Sequence, residues 1–574
     1  MMNKIRPIIL AIAVVAAALM AYGLMTLPQA QPVNAEGFSS ARVLKDIEAI
    51  SKKPHSVAHP EERAEVRDYL IGRLKDMGGD VSLYSYDSVP GPKILGESFT
   101  FEAVDIVAEF PPLNASEESS YLMFVAHYDS RHIHPMPKDT VLSYGAADDG
   151  YGVGVSLETV SELLENRADW KQGVKVLFTD AEESGMLGMK LLWEKDKQVF
   201  GNVGLIINIE ARGSYGPALL FETSAGNEKI MDLYASSSKY KYTYSLTSVV
   251  YRFLPMFTDF TIVKDDIPGV NFSTIADVNH YHTDKDSYAN VSEKSIQHFG
   301  EQILPLAMTY VTDPAYSDKD ALKAERDTVN FSIPLLGLFN VGKIMYIIIN
   351  VLIFIVFLLV FALEGVRGRL KAARVFKNSC AILFVAIGTL AVGELIAYLC
   401  AVAAGARFKP FGIVQGVQFD NVVMIASMVV LVLALVLVHW TSRNNAIRQT
   451  SGSLRASAAA NAAGRFVYTQ LYAALSLMFL LSLVLVFALG ENMMFFIPLA
   501  VATLSIVLWH VTSLKFWLLA GIVIIMLHAF SFLFALAMAL TVGAFGVVLM
   551  LAFLDLMVIV PMADIYIMQT KKAR

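Results

Sequence analysis

The run Val174-Lys175-Val176-Leu177-Phe178-Thr179-Asp180-Ala181-Glu182-Glu183 is an apolar strand that ends in three carboxylates. Two other segments share this plan. Leu122-Met123-Phe124-Val125-Ala126 runs into His127-Tyr128-Asp129, and Gly204-Leu205-Ile206-Ile207-Asn208-Ile209 runs into Glu210. Short, nearly continuous apolar runs read as strands buried on both faces, the signature of a parallel sheet covered by helices. Helical segments alternate with them at Tyr151 to Glu165, Met186 to Trp193 and Asn227 to Ser237, and further strands fall at Val81 to Tyr86, Val104 to Phe110 and Ala218 to Phe221. Residues 40 to 78 read as polar and helical, with Val66, Leu70 and Leu74 on one face and Gly78-Gly79 as the stop. The alternation predicts an α/β fold with a mostly parallel sheet flanked by helices. Ligands of such sheets bind beyond the carboxyl ends of the strands. His127, the Glu182-Glu183 pair and Glu210 are therefore expected along one edge.

Outside this region the chain changes solvent. Of 574 residues 55% are hydrophobic and 17% charged, against about 25% charged in soluble domains. Residues 36–335 carry 46 acids and 28 bases, net −18, and the remainder 6 acids and 18 bases, net +12. The acidic part would repel nucleic-acid phosphates, so no nucleic-acid partner is expected. Eight apolar runs are long enough to span a bilayer: Ile8 to Leu27, Met345 to Leu363, Ser379 to Val402, Val422 to Thr441, Val467 to Leu489, Met493 to Trp509, Phe516 to Ala535 and Leu540 to Ala563. The expected domains are a signal anchor at 1–35, an acidic domain at 36–335 and an all-α polytopic transmembrane bundle of about seven helices at 336–574. With eight spans, Lys4 and Arg6, the loops around Arg367 to Lys377 and Arg443 to Arg465, and the tail Lys571, Lys572 and Arg574 all fall inside. Residues 36–335 then lie on the non-cytoplasmic side. Two acids, Glu394 and Asp555, sit at membrane depth, either as a functional site or as bundle glue. Both cysteines, Cys380 and Cys400, lie in one apolar run, so the acidic domain has no disulfide and no thiolate metal site.

The polar residues at the strand ends are joined by Asp148-Asp149 on the Gly-rich turn Gly145-Ala146-Ala147-Asp148-Asp149-Gly150, and by His280-Tyr281-His282 further on. Imidazole and carboxylate without thiolate suit zinc or another divalent first-row metal. Two metals at about 3.5–4 Å need a shared carboxylate and terminal ligands on either side, and the chain offers that complement. A further carboxylate beside a ligand can take a proton from water.

His127-Tyr128-Asp129, Gly145 to Gly152, Asp180-Ala181-Glu182-Glu183-Ser184-Gly185, Asn208-Ile209-Glu210 and Tyr281-His282-Thr283, in this order, resemble the M28 family of zinc aminopeptidases. The anchor, peptidase and multispan layout is similar to the family's vacuolar and endoplasmic-reticulum membrane branch. The resemblance implies a zinc-exopeptidase-like fold and two Zn2+ per chain, one held by His127, Asp148 and Glu210, the other by Asp148, Glu183 and His282, with Asp148 bridging. It implies Glu182 as general base and Asp129 as hydrogen-bond acceptor from the His127 ring. Glu210 departs from the Asp common in soluble relatives and gives the first site a longer arm. Arg212, Tyr251 and Asp259 are candidate substrate contacts. The expected function is a membrane-anchored dinuclear zinc aminopeptidase acting on peptides outside the cytoplasm, in a prokaryotic cell membrane or else a vacuolar or endoplasmic-reticulum one. A glutaminyl cyclase-like transferase and a receptor on a peptidase fold are the alternatives.

Overall fold

A computed structural model describes the chain except for residues 1, 25–26, 92–98, 116–118, 132–141, 252–256, 411–413, 415–416, 418–425, 428, 438–455 and 569–574. The chain forms two compact units, Thr26–Ser332 with Gly337–Lys343, and Met1–Met25 with Ile333–Leu336 and Ile344–Arg574.

The chain opens with helix α1 (Met2–Leu24), which begins before the expected span at Ile8 and ends short of Leu27; its apolar stretch is Ile5–Ala21. Next come α2 (Ser40–Ile50) and α3 (Pro60–Asp76), two helices where the polar pattern suggests one. The break has a local cause: Pro54 disfavours helix at Lys53, and Pro60 at the first turn of α3 suits a start rather than a continuation. Seven strands follow: β1 (Asp80–Pro90), β2 (Thr100–Phe110), β3 (Tyr121–His127), β4 (Gly173–Thr179), β5 (Val203–Ala211), β6 (Leu219–Thr223) and β7 (Gly269–Thr274). They are interleaved with α4 (Gly150–Leu164), α5 (Leu187–Lys195), α6 (Glu228–Ser237), α7 (Ser245–Tyr251) and α8 (Phe260–Val263), and the long α9 (Glu293–Thr312) comes after them. They form one sheet in the order β1-β2-β4-β3-β5-β7-β6. The four central strands β4, β3, β5 and β7 run parallel, and the edges pair antiparallel.

Strand alternation divides the core between the two faces. Leu122, Phe124 and Ala126 of β3, Val174, Val176 and Phe178 of β4 and Leu205, Ile207 and Ile209 of β5 join α2, α3, α4 and α9 in one core. Met123, Val125, Leu177 and Ile206 pack on the opposite face against Met189 and Leu192 of α5 and Phe260 and Val263 of α8. Burial on both faces is why these strands carry almost no polar residues until they end.

The other unit is helical. Lys343–Val366, Ala372–Ala403, Arg465–Leu489, Met493–Thr512 and Phe516–Ile567 are long and apolar enough to cross a membrane. The last comprises two helices, Phe516–Leu540 and Phe545–Ile567, joined by a short 3-10 turn at Thr541–Ala544. The division thus comes after Leu540, whereas the sequence suggests one before it, because Gly543 is the first residue there to loosen the helix. Within the expected span Val422 to Thr441, residues 426–427 and 429–437 are helical; the rest of that span, most of the basic loop that follows it and the basic tail lie outside the described residues. Glu394 accepts a hydrogen bond from the main-chain N–H of Gly546 at 3.2 Å, which makes it a tie between two helices of the bundle. Glu364, buried at the end of Lys343–Val366, meets Arg367 at 2.8 Å, Arg369 at 3.0 Å and His510 at 3.3 Å.

Candidate metal centre

The register His127↔Thr179 aligns the ends of β3 and β4, and Glu210 lies at the same end of β5. The turn into α4 supplies Asp148 and Asp149. Asp149 caps that helix by accepting from the Gly152 N–H at 2.9 Å. A side chain at position 152 would meet the same carboxylate, with a Cβ only 2.1 Å from its Oδ2. Asp286 holds the turn from behind: its Oδ1 accepts from the Ala147 N–H at 2.7 Å and its Oδ2 from the Ser143 hydroxyl at 3.0 Å. Nothing in the sequence around Asp286 signals this role. It emerges only when the chain returns from β7.

Two clusters result, His127–Asp148–Glu210 and Asp148–Glu183–His282. His127 Nε2 lies 3.2 Å from Asp148 Oδ1 and 3.9 Å from Glu210 Oε2. His282 Nε2 lies 3.1 Å from Asp148 Oδ2 and 3.0 Å from Glu183 Oε1. Asp148 therefore turns one oxygen to each cluster. The second cluster fits an ion for a further reason. Asp148 Oδ2, Glu183 Oε1 and His282 Nε2 are buried and make no hydrogen bond among the described residues, although they lie within 3.1 Å of their neighbours. Ligands about 2.0–2.1 Å from a tetrahedral zinc stand about 3.3 Å apart along each edge, a separation within the range found here. His282 has φ +58°, a left-handed conformation that costs a non-glycine residue about 1 kcal/mol or more and aims its ring at the cluster. Its ring stacks on Tyr281, with centroids 3.6 Å apart. His280 bonds Ser214 Oγ instead, at 2.6 Å.

The supporting residues differ in part from the expectation. His127 Nδ1 lies 2.9 Å from the main-chain carbonyl of Asp129 and 3.5 Å from its carboxylate. The Asp129 carboxylate also accepts from the Glu182 N–H at 2.9 Å and so fixes the turn that carries Glu182 and Glu183. Ala181 starts that turn with φ +58°. Arg131, which the sequence reading passes over, donates through Nη1 to Glu183 Oε2 at 2.8 Å and to its carbonyl at 2.9 Å. Its only sequence signal is its position directly after the His127 motif. Asp259 is buried against the Thr179 hydroxyl. Tyr251 ends α7, within electrostatic reach of Glu182, Glu210 and Arg212.

Burial, with Glu210 and Glu183 nearby, pushes the Glu182 carboxyl well above the usual range. Burial also raises Glu210, with Asp149 and Asp148 adding to it. Glu183 goes the other way: burial disfavours its charge, but His282 and Arg131 outweigh it and hold its pKa well below normal. Burial likewise opposes charge on His282, yet Glu183 and Asp148 lift it to about 9. A crowd of acids that retain protons when no cation is near is one that a cation would discharge.

Residues 105–307 match the model of peptidase family M28. The chain is 26% identical over 341 residues to the putative endoplasmic reticulum metallopeptidase 1-A of Caenorhabditis elegans, covering 54% of this chain and 36% of that protein. It is 25% identical over 321 residues to the vacuolar membrane protease of Candida dubliniensis, covering 54% and 32%. The chain thus spans about a third of the length of the curated relatives it matches. Among solved structures, the glutaminyl cyclase of Porphyromonas gingivalis covers 48% of this chain and 100% of its own at 18% identity and a TM-score of 0.39. BSAP, a zinc aminopeptidase from Bacillus subtilis, covers 51% and 100% at 12% identity and a TM-score of 0.38.

Proposed function

We propose that this chain, whose residues 105–307 match peptidase family M28, is a membrane-anchored zinc metallopeptidase that acts as an aminopeptidase with two zinc ions. The observation that carries the reading is Asp148, whose two oxygens each face a separate His-and-Glu pair. His127, Asp148 and Glu210 would hold one ion, and Asp148, Glu183 and His282 the other. Such a pair, when bound, supplies Lewis-acid polarisation of a carbonyl and acidification of water.

The chain's own residues do the rest. Glu182 takes a proton from the attacking water and returns it to the leaving amine, a role suited to a carboxyl whose proton affinity is raised by burial and neighbouring acids. Asp129 holds the Glu182 main chain, and Arg131 steadies Glu183 from the side away from His282. The acid-rich wall favours a substrate's protonated α-amine over a blocked one. By the distribution of Lys and Arg, the catalytic unit faces the non-cytoplasmic side.

The test is hydrolysis of aminoacyl and N-acetylated peptides by purified full-length, zinc-loaded protein and its Glu182→Gln variant, with the metal content of both measured. Cleavage of free but not acetylated peptides, lost in the variant at two zinc ions per chain, is the expected result. Cyclisation of N-terminal glutamine with one zinc per chain would replace this reading with a transferase. Peptide binding without turnover would replace it with a receptor.

A further inference from the structure

Among the described residues, Arg212 is a cation of the site that makes no ion pair with an acid. It follows β5 directly, two residues beyond Glu210, so the two side chains emerge on the same side of the strand end. Its main-chain N–H is fixed to β7 by the Thr274 carbonyl and the Ser273 hydroxyl, both at 3.1 Å. Tyr251 and Tyr281 lie within its electrostatic reach, and Tyr281 stacks on the ring of His282. Its Nε and Nη2 atoms are both buried and, among the described residues, neither has a hydrogen-bond partner. The residue as a whole remains partly exposed.

These two nitrogens form one edge of the guanidinium, from which two N–H groups point in parallel and fit the two oxygens of a carboxylate. The same protein uses that edge elsewhere. Arg73 grips Asp46 through Nε at 2.7 Å and Nη2 at 3.2 Å. A guanidinium held out of water without a counter-charge is costly, and among the described residues no carboxylate pairs with it.

We infer that Arg212 binds a carboxylate of the substrate next to the scissile bond, which makes the preferred substrates short peptides with a free α-carboxylate there, or peptides with an Asp or Glu side chain at that position. The inference rests on the metallopeptidase reading for the place of the scissile bond. Arg212 is a binding residue and takes no part in proton transfer. It offsets, at one point, the repulsion that the surrounding acids would exert on a substrate anion.

The experiment compares alanyl-alanine with alanyl-alanine amide, and Glu-Ala amide with Gln-Ala amide, on full-length zinc-loaded protein. Wild type should favour the member carrying the extra carboxylate in one of the two pairs by at least tenfold in kcat/KM, and the responding pair identifies the source of that carboxylate. The preference should collapse towards one in Arg212→Gln and be only partly kept in Arg212→Lys, which retains the charge but not the fork. Calorimetric binding of the same four peptides to Glu182→Gln protein reads recognition without turnover and should show the same ratios. Wild-type ratios near one in both assays overturn the carboxylate site while leaving peptide hydrolysis, and hence the metallopeptidase reading, standing. Absence of hydrolysis with a tenfold binding preference does the reverse.

Discussion

Replacing Glu182 by Gln keeps the side chain's size and removes its proton affinity. The expected outcome is a fall in kcat of about 10²–10⁴-fold with zinc content unchanged, measured by steady-state kinetics and metal analysis together. Arg131 acts on the candidate ligand Glu183 through the oxygen that does not face His282. Arg131→Met should therefore weaken zinc binding about 10–100-fold at the second cluster only, and titration with limiting zinc should show one tight and one weak ion. His282 supplies the pH dependence. Its folded pKa is about 9 against 6.5 unfolded, so in metal-free protein its contribution to stability is complete below pH 6.5 and is lost as pH rises through 9. Zinc needs the same ring deprotonated. Thermal unfolding of chelator-treated protein should show Tm falling from pH 6.5 to 9, and the rise in Tm on adding zinc should grow across that window.

The elements most legible in the sequence are β3, β4 and β5, because burial on both faces leaves them uninterrupted apolar runs whose ends are marked by the first polar residue. β7 (Gly269–Thr274) was not legible. It carries Asn271, Ser273 and Thr274, and the buried Asn271 amide is satisfied by Glu222 and Thr258 while its carbonyl oxygen accepts from Asn208 on the neighbouring strand at 2.9 Å. A strand whose polar groups are satisfied across the sheet has no hydrophobic signature. The candidate ligands were legible because each follows a readable strand or turn. The residues that hold them in place, Asp286 and Arg131, were not, since their partners are remote in sequence. Two predictions belong at this scale. Phe124, fully buried in β3, should cost about 3–5 kcal/mol as Phe124→Ala, read as a lowered denaturation midpoint. Asp286→Ala would free the Ala147 and Asp148 main chain and should lower zinc affinity about 10–100-fold while circular dichroism stays that of the wild type.

At the scale of the whole molecule the charge asymmetry and the two compact units divide the chain near the same places, residues 25–26 and 332–343. Charge and hydropathy register the solvent around each segment, so they mark the boundary between units more clearly than the ends of helices inside a nearly continuous apolar run, as the turn at Thr541–Ala544 illustrates. The proposed topology predicts sidedness. In a background with Cys380 and Cys400 replaced by serine, a cysteine at the exposed Leu113 should react with an impermeant maleimide from the non-cytoplasmic face, and one at Arg369 only after the membrane is opened.

The sheet order has a consequence for the sequence of events on the ribosome. β7 lies between β5 and β6, and His282 follows it, so the second cluster cannot exist until the chain has been synthesised through residue 282. Among the described residues, the helices long and apolar enough to cross a membrane are all encoded beyond that point. On the proposed topology the acidic domain would be complete before the helices that follow it are made, and any zinc it captures would come from the non-cytoplasmic compartment. The metal supply of that compartment, rather than of the cytosol, would then set how much of the newly made protein is active.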